Sequence, residues 1–253
     1  QDLLLDLQQL ESLIDDDTRV IMVTHIYGRL VNMEKVMELA NRYNLRVIED
    51  ACEAQGAYWK GRPVGSYDIG CFSLYRNKII HAEEGGIVAS NDLQFLEVVE
   101  DMKSMSFGKT HDYFHKRIGF NYRMTNSQAA MAIQSLSAVE QSLEKREEAK
   151  NQYNFLINKK YQMPNNRKVV WVYDMTHKNS DLVVSALKNE GLKVRHSFKP
   201  MSIQPLFLGH KVDNLNAQHY SKNVFYIHID ISDSFEDIKR KSEILNNVMR
   251  ELD

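Results

Sequence analysis

The sequence predicts an α/β fold in which a mostly parallel sheet is followed by a second, smaller α/β domain. From Arg19 onward, short apolar runs rich in β-branched residues alternate with segments of helical periodicity, a pattern typical of βαβ units. Pro164-Asn165-Asn166 marks a boundary, after which a new alternation of strands and helices begins. We therefore predict a large domain over residues 1–150 and a small C-terminal domain over residues 151–253.

The large domain is predicted to start with a helix over residues 3–13, followed by a βαβ unit. The unit has a buried strand at residues 19–24, a helix capped by Asn32 and a strand at residues 45–49. The apolar face of that helix comprises Met33, Val36, Met37, Ala40 and Tyr43. Because the crossover of such a unit is right-handed, we expect its two strands to be parallel.

The rest of the large domain is predicted from strand, turn and capping signals. These give a loop over residues 56–65, strands over 69–74 and 86–89, a helix from 91 to about 105 and a loop over 106–117. Thr125 and Gln128 form a capping box before a long helix, residues 126–158. The charged stretch of that helix, residues 140–150, is predicted to be a solvated face.

The small domain is predicted to contain three strands and two helices. In chain order they are a strand at 169–175, a helix at 180–190, strands at 192–195 and 224–229, and a final helix from Ser234 to about 251.

Composition and spacing argue against several classes of function. The net charge is −2 and the basic residues are scattered, so no field to attract nucleic acid is expected. The apolar runs are too short to cross a membrane, and the first residues lack a signal peptide. Cys52 and Cys71 have neither metal nor redox spacing, which favours small buried thiols and a cytosolic location. His111 and His115 have the spacing of metal ligands, but without a third ligand we expect a solvated loop and no metal.

Three polar residues follow strands in the central stretch of the large domain. Asp50 and Ser73 each end an apolar strand, and Lys78 lies in the next loop. Open α/β sheets place their ligands at the carboxyl ends of parallel strands. A lysine can form a Schiff base with pyridoxal phosphate, a carboxylate can pair with its ring nitrogen, and a hydroxyl can bind its phosphate. The plainer alternatives are a helix cap for Asp50, a backbone-bonded serine and a surface lysine.

The motifs around these residues resemble those of the DegT/DnrJ/EryC1/StrS family of sugar aminotransferases, which depend on pyridoxal phosphate (PLP). They are H-I-Y-G at 25–28, V-I-E-D-A-C-E-A-Q-G-A at 47–57, G-S at 65–66, F-S-L-Y-R-N-K at 72–78, E-G-G at 84–86 and G-F-N-Y-R-M-T-N-S-Q-A-A at 119–130. Glu53 and the Tyr-x-Asn-Lys run resemble the perosamine synthase branch, which aminates C4 of a nucleotide-linked 4-keto-6-deoxy sugar. The resemblance implies the type I fold of PLP-dependent transferases, with an incomplete large domain.

The resemblance also implies a role for each matching residue. Lys78 would form the Schiff base and move protons, Asp50 would pair with the ring nitrogen, and Ser73 would bind the phosphate. Glu53 would touch the 3-hydroxyl of the ring, and a solvated helix charge is its alternative. Asn121 would reach the phosphate of the partner subunit's cofactor, so the active site would need a homodimer.

The implied reaction moves an amino group from glutamate to the keto sugar. Some relatives carry His at the position of Lys78 and remove a hydroxyl group instead, so Lys78 favours amino transfer.

Three features depart from the family pattern. The segment with the phosphate-binding turn has no counterpart before residue 3, Arg76 replaces a small residue, and Glu83 replaces Gly. These departures favour the alternative, a catalytically inactive or fragmentary relative that acts as a binding or assembly subunit.

Overall fold

The computed structural model describes residues 3–108, 113–207 and 214–253. The chain forms two compact units, Leu4–Glu140 and Gln141–Asp253. The predicted limit between the domains, at residues 150 and 151, stays a prediction. None of the helices in the described ranges is both long enough and apolar enough to cross a membrane.

The N-terminal unit contains helices and strands in the order expected for an α/β protein. They are α1 (Leu7–Leu10), β1 (Val20–Thr24), α2 (Met33–Arg42), β2 (Arg46–Asp50), β3 (Tyr58–Trp59), β4 (Arg62–Pro63), β5 (Ile69–Ser73), β6 (Gly86–Ser90), α3 (Leu93–Lys103) and α4 (Asn126–Ser137).

The main sheet of this unit has the strand order β1-β2-β5-β6. β1, β2 and β5 are parallel, and β6 runs antiparallel to β5. Thr24 pairs with Asp50, and Asp50 pairs with Cys71, so the carboxyl ends of β1, β2 and β5 lie along one edge. The predicted βαβ unit and the mostly parallel sheet are confirmed.

Helix α2 packs on this sheet through the face that its periodicity predicts. Asn32 caps the helix by accepting a hydrogen bond from the backbone N–H of Lys35. Met33 and Val36 are fully buried and pack in one cluster with Val23 and Val47 of the sheet. Tyr43 is 41% exposed, so its predicted place on the buried face is wrong.

Two predicted helices differ from the observed ones. The first begins at Leu7 instead of residue 3, because the Asp6 side chain accepts the N–H groups of Gln8 and Gln9 and caps the helix there. The predicted helix over residues 126–158 is broken at Ala138 into α4 and α5 (Val139–Leu156). Near the break the Ser137 hydroxyl donates to the Gln134 carbonyl, and such side-chain bonds compete with the helix ladder.

Helix α5 also corrects the prediction of a solvated face over residues 140–150. Arg146 is 8% exposed, and its guanidinium donates to the Trp171 carbonyl at 3.1 Å. Burial lowers the pKa of Arg146 to about 10. One side of this charged stretch is therefore part of the C-terminal core.

The C-terminal unit is built on an antiparallel sheet of order β7-β9-β8. After α5 its elements are β7 (Val172–Thr176), α6 (Ser180–Asn189), β8 (Val194–His196), α7 (Leu215–Asn223), β9 (Val224–His228) and α8 (Phe235–Glu251). A capping box between Ser234 and Asp237 begins α8, as predicted. Helix α7 was missed, because its sequence is polar and lacks a side-chain cap.

Candidate active site

The predicted acid and hydroxyl lie at the carboxyl ends of neighbouring parallel strands. Asp50 is the last residue of β2 and Ser73 the last residue of β5. The Asp50 carboxylate accepts the backbone N–H of Cys52 at 3.1 Å, and a non-helical turn follows. The alternative role of Asp50 as a helix cap is therefore wrong. The Ser73 hydroxyl accepts the N–H of Tyr75 at 3.2 Å, as its alternative expects.

Lys78 lies in a tight loop that connects β5 to β6. Its backbone N–H donates to the Tyr75 carbonyl at 2.9 Å, and Leu74 and Ala82 close the base of the loop through an N–H to carbonyl bond of 2.7 Å. The Lys78 side chain is half-buried. Both the Schiff-base role and the alternative of a surface lysine in a loop stay predictions.

The Cys52 thiol is affected by the charges of both the acid and the amine. Burial and, after it, the neighbouring Asp50 carboxylate raise the pKa of Cys52 to about 12, against the opposing effect of the positive charge of Lys78. The thiol contacts the Cys71 carbonyl, with 3.7 Å between sulfur and oxygen. Cys52 and Cys71 are both free thiols, and both are half-buried. The Cys52 thiol is therefore neutral near pH 7.

Glu53 is held below the protein surface. It is 7% exposed, and its carboxylate accepts the backbone N–H of Tyr27 at 2.8 Å. Tyr27 itself is fully buried and has a left-handed backbone, with φ of +53°. The alternative of a solvated helix charge is wrong, because Glu53 is buried and lies in a turn. Its contact with a cofactor ring stays a prediction.

Glu49 is a buried carboxylate that the sequence did not single out. It accepts the backbone N–H groups of Gly65 and Tyr67, both at 2.8 Å, and lies 3.2 Å from His25 Nε2. The N–H of Val31 donates to His25 Nδ1, so the ring proton is on Nε2 and points at Glu49. Glu49 therefore holds two backbone segments in place, the loop over residues 65–67 and the turn after β1. These two segments lie on either side of Asp50.

Gln55 was also missed, although it lies between predicted site residues in space. Its amide nitrogen donates to the carbonyls of Ser73 (2.9 Å) and Ile80 (3.0 Å). Its amide oxygen accepts the Ile80 N–H at 2.8 Å. The only signal for Gln55 in the sequence is that it is a polar residue among the small residues of the 54–57 segment. Its partners lie far along the chain, so the sequence does not identify them.

Asn121 is not part of the group around Cys52. It is exposed and forms an isolated antiparallel bridge with Ser104. The rings of its neighbours Phe120 and Tyr122 stack with centroids 5.0 Å apart. Its predicted reach to a partner subunit stays a prediction.

Two of the three departures from the family pattern, Arg76 and Glu83, face each other across the lysine loop. The N–H of Arg76 donates to the Glu83 carbonyl at 3.0 Å, and both side chains are exposed. Glu83 has φ of +64°, a conformation that favours glycine.

No metal centre is found in the part of the chain that the structure describes: no three His, Cys, Asp or Glu residues there are arranged to hold an ion. His111, one of the two histidines with ligand-like spacing, lies outside the described residues.

Comparisons with known proteins agree with the resemblance in the sequence. The profile of the DegT/DnrJ/EryC1/StrS aminotransferase family matches residues 1–245. The chain is 34% identical over 224 residues to GDP-perosamine synthase of Caulobacter vibrioides, covering 83% of this chain and 60% of that protein. It is 33% identical over 221 residues to GDP-perosamine synthase of Escherichia coli O157:H7, covering 87% and 60%. The chain therefore spans 60% of the length of these two relatives.

The fold is similar to that of Helicobacter pylori PseC, an aminotransferase of pseudaminic acid biosynthesis. The TM-score is 0.89 at 22% sequence identity, covering 98% of this chain and 71% of PseC. This likeness confirms the predicted fold of the PLP-dependent sugar aminotransferases. The family and its named relatives use pyridoxal phosphate as cofactor. The profile match and the identity to curated relatives show that this chain belongs to the DegT/DnrJ/EryC1/StrS aminotransferase family.

Proposed function

We propose that this protein transfers an amino group from glutamate to a nucleotide-linked 4-keto-6-deoxy sugar, with pyridoxal phosphate as cofactor. The observation that carries the proposal is that Asp50 and Ser73 end neighbouring parallel strands at one edge of the sheet, and that Lys78 lies in the loop that follows Ser73. The names of the two perosamine synthases support a nucleotide-linked sugar as acceptor.

The donor set at this edge fits the cofactor. The cofactor has a ring nitrogen that is cationic when protonated, an aldehyde and a phosphate, and the site offers a carboxylate, an amine and a hydroxyl. Asp50 would hold the ring nitrogen, Lys78 the aldehyde carbon and Ser73 part of the phosphate. When bound, the cofactor supplies an electron sink for the electron pair left behind by a departing Cα proton.

The residues of the chain hold the charge and move the proton. The Cys52 N–H donates to the Asp50 carboxylate and holds it in place, so that this carboxylate would stabilise a cationic ring nitrogen with little reorganisation. The Lys78 amine would accept the Cα proton of glutamate and, in the second half of the reaction, return a proton to C4 of the sugar. Glutamate leaves as 2-oxoglutarate and the keto sugar leaves as the amino sugar, so the amino group is conserved. Glu53 would contact the 3-hydroxyl of the ring.

The proposal includes a homodimer in which Asn121 reaches the partner subunit's cofactor phosphate. Support comes from the apolar side chains that flank Asn121: Ile118, Phe120 and Tyr122 are all exposed. Exposed apolar groups in one segment favour a protein contact. Two free cysteines support the cytosolic location.

The test is covalent fixation of the cofactor. The purified protein would be incubated with pyridoxal phosphate, reduced with borohydride and mapped by peptide mass spectrometry. We expect the label on Lys78, and we expect Lys78→Ala to lose both the label and about 10²–10⁴-fold or more of the glutamate-dependent turnover. Lys60→Ala removes an exposed lysine of the same unit and should change neither.

A label on other lysines only, or full turnover by Lys78→Ala, would overturn the proposed function. The alternative, an inactive relative that acts as a binding or assembly subunit, would then account for the fold and the family.

A further inference from the structure

Gln55 connects the turn after β2 to both ends of the segment that carries Lys78. The segment, residues 73–80, starts at the last residue of β5 and ends two positions after the lysine. At one end the Gln55 amide donates to the Ser73 carbonyl, and at the other it exchanges two hydrogen bonds with the backbone of Ile80. The Gln55 side chain is 2% exposed.

The chemistry of these contacts requires an amide. The Ile80 backbone offers a donor and an acceptor, and Ser73 offers a second acceptor. Only the side chains of Gln and Asn carry two N–H donors and one carbonyl acceptor on a single planar group. The paired bonds to Ile80 resemble one rung of a β ladder, so they fix both the distance and the direction of that peptide.

The other end of the connection is the acid. Gln55 lies five residues after Asp50, in two consecutive turns that are closed by backbone bonds from Ala54 to Ala51 (3.1 Å) and from Ala57 to Ala54 (3.0 Å). The lysine loop is therefore tied to the turns that follow Asp50, as well as to its own strands.

We infer that Gln55 is a positioning residue that sets the place of the Lys78 amine relative to Asp50 and Ser73. Gln55 acts through the backbone at Ser73 and Ile80 and does not itself touch the reacting atoms. This inference rests on the proposed function for its catalytic consequence, whereas the position of the amine can be measured without the cofactor.

The first experiment uses the cofactor-free protein and acetic anhydride as probe. The rate of Lys78 acetylation is measured at one pH against the exposed Lys168 as internal reference. In Gln55→Met, which keeps the length of the side chain and removes all three bonds, we expect Lys78 to be acetylated at a rate closer to that of Lys168. Gln55→Glu keeps an acceptor for the Ile80 N–H but has no N–H donors. We expect its Lys78 acetylation rate to rise as much as in Gln55→Met or by an intermediate amount.

The matched control is Gln162→Met in the C-terminal unit. The Gln162 amide also donates to two backbone carbonyls, those of Asn154 (2.9 Å) and Ile157 (2.7 Å). Its loss should lower stability in a similar way and leave the Lys78 rate unchanged. Circular dichroism would confirm that each variant is folded before its lysines are compared.

The second experiment uses the loaded enzyme. Because a displacement of about 1 Å can lower a rate by about 10²-fold, we expect Gln55→Met to lose about 10²-fold in kcat with less than about threefold change in the KM for glutamate. The absorbance band of the cofactor bound to Lys78 should shift in wavelength or in its pH midpoint. Gln162→Met should match the unaltered protein in both respects.

The outcomes separate the two ideas. An unchanged Lys78 acetylation rate in both folded Gln55 variants, or the same change in Gln162→Met, overturns the positioning role. If the unaltered protein fixes no pyridoxal phosphate on Lys78, the proposed function fails, and the acetylation rates still decide whether Gln55 positions this amine.

Discussion

The two units bury carboxylates in different ways. In the N-terminal unit, Glu49 accepts backbone N–H groups of a loop and the ring proton of His25. In the C-terminal unit, Asp174 is also fully buried, but its carboxylate accepts the guanidinium of Arg167. One carboxylate therefore holds main chain in place around a site, and the other neutralises a buried guanidinium.

The difference follows from what surrounds each sheet. The core of the C-terminal unit joins side chains of α5, β7, α6, β8, β9 and α8 in one apolar cluster. The core of the N-terminal unit is a smaller cluster of β1, α2 and β2, and the loops beyond the strand ends are held by buried polar groups. In the C-terminal unit, a second substitution should therefore restore the stability that is lost when Asp174 is replaced. No second substitution should restore the stability that is lost when Glu49 is replaced.

The largest effect is expected for Glu49→Leu. It leaves three buried donors without an acceptor, and each costs about 1–3 kcal/mol. We expect a loss of about 5 kcal/mol in the free energy of unfolding of the N-terminal unit, measured in urea with limited proteolysis as a second probe. Glu38→Leu, which removes an exposed acid paired with Arg42, should cost less than about 1 kcal/mol.

No second substitution should repair Glu49→Leu, because its partners at Gly65 and Tyr67 are backbone groups. Wild-type stability in this variant would show that water satisfies those donors, and the contrast between the two carboxylates would disappear.

A somewhat smaller and reparable effect is expected at the buried ion pair. Asp174→Leu leaves the Arg167 charge buried without this partner and should cost about 3–5 kcal/mol. The double variant Arg167→Met with Asp174→Leu removes both charges, and we expect it to recover most of that loss. Urea unfolding of the two single variants and the double variant forms a complete cycle. A double variant as unstable as the singles would mean that the pair also serves other buried groups.

The contacts of Glu49 and Gln55 could not be predicted from the sequence. Glu49 bonds residues 16 and 18 positions away, and Gln55 bonds Ile80 across 25 positions. Local periodicity carries no information about such distances. Gln55 and Ile80 become neighbours only in the folded sheet, which brings the turn after β2 beside the loop after β5.

Features set by local chemistry were predicted well. Strands ending at Asp50 and Ser73 follow from apolar runs, and the capping boxes at Thr125 and Ser234 follow from side chains three positions apart. The break at Ala138 was missed because no glycine or proline marks it. Cys52 was expected to be a small buried thiol, but its contact with the Cys71 carbonyl was not expected.

Acid should affect the N-terminal unit through Asp68, with a smaller effect than at the buried groups. Hydrogen bonding to the Arg46 guanidinium lowers the pKa of Asp68 below its ordinary value of 3.8. Because the folded pKa is the lower one, the stabilisation is present above the unfolded pKa and is lost as the pH falls through the folded pKa. We expect Asp68→Asn to lose about 1 kcal/mol at pH 7 and to show a flatter decline in stability below about pH 4.

Urea midpoints between pH 2 and pH 7 would measure this effect. Asp16→Asn removes an exposed carboxylate of the same unit and controls for net charge. A decline in Asp68→Asn as steep as in the unaltered protein would place the acid sensitivity elsewhere.

The smallest effect, and the one that tests the lysine loop itself, is expected for Glu83→Gly. Glu83 has φ of +64°, and a left-handed non-glycine residue costs about 1–2 kcal/mol. Glycine relieves that strain but gains entropy in the unfolded chain, which offsets about 0.4–1 kcal/mol. We therefore expect Glu83→Gly to stabilise the N-terminal unit by about 0.5 kcal/mol in urea unfolding, as the difference of these two terms.

Glu84→Gly is the matched control, because it removes the same charge one position later, where φ is not positive. It should destabilise the unit by about 0.5–1 kcal/mol. If Glu83→Gly stabilises the unit and Glu84→Gly destabilises it, the cost of Glu83 to stability comes from its strained backbone and not from its negative charge. Equal effects of the two substitutions on the free energy of unfolding would instead show that negative charge, and not backbone strain, lowers the stability of the loop that carries Lys78.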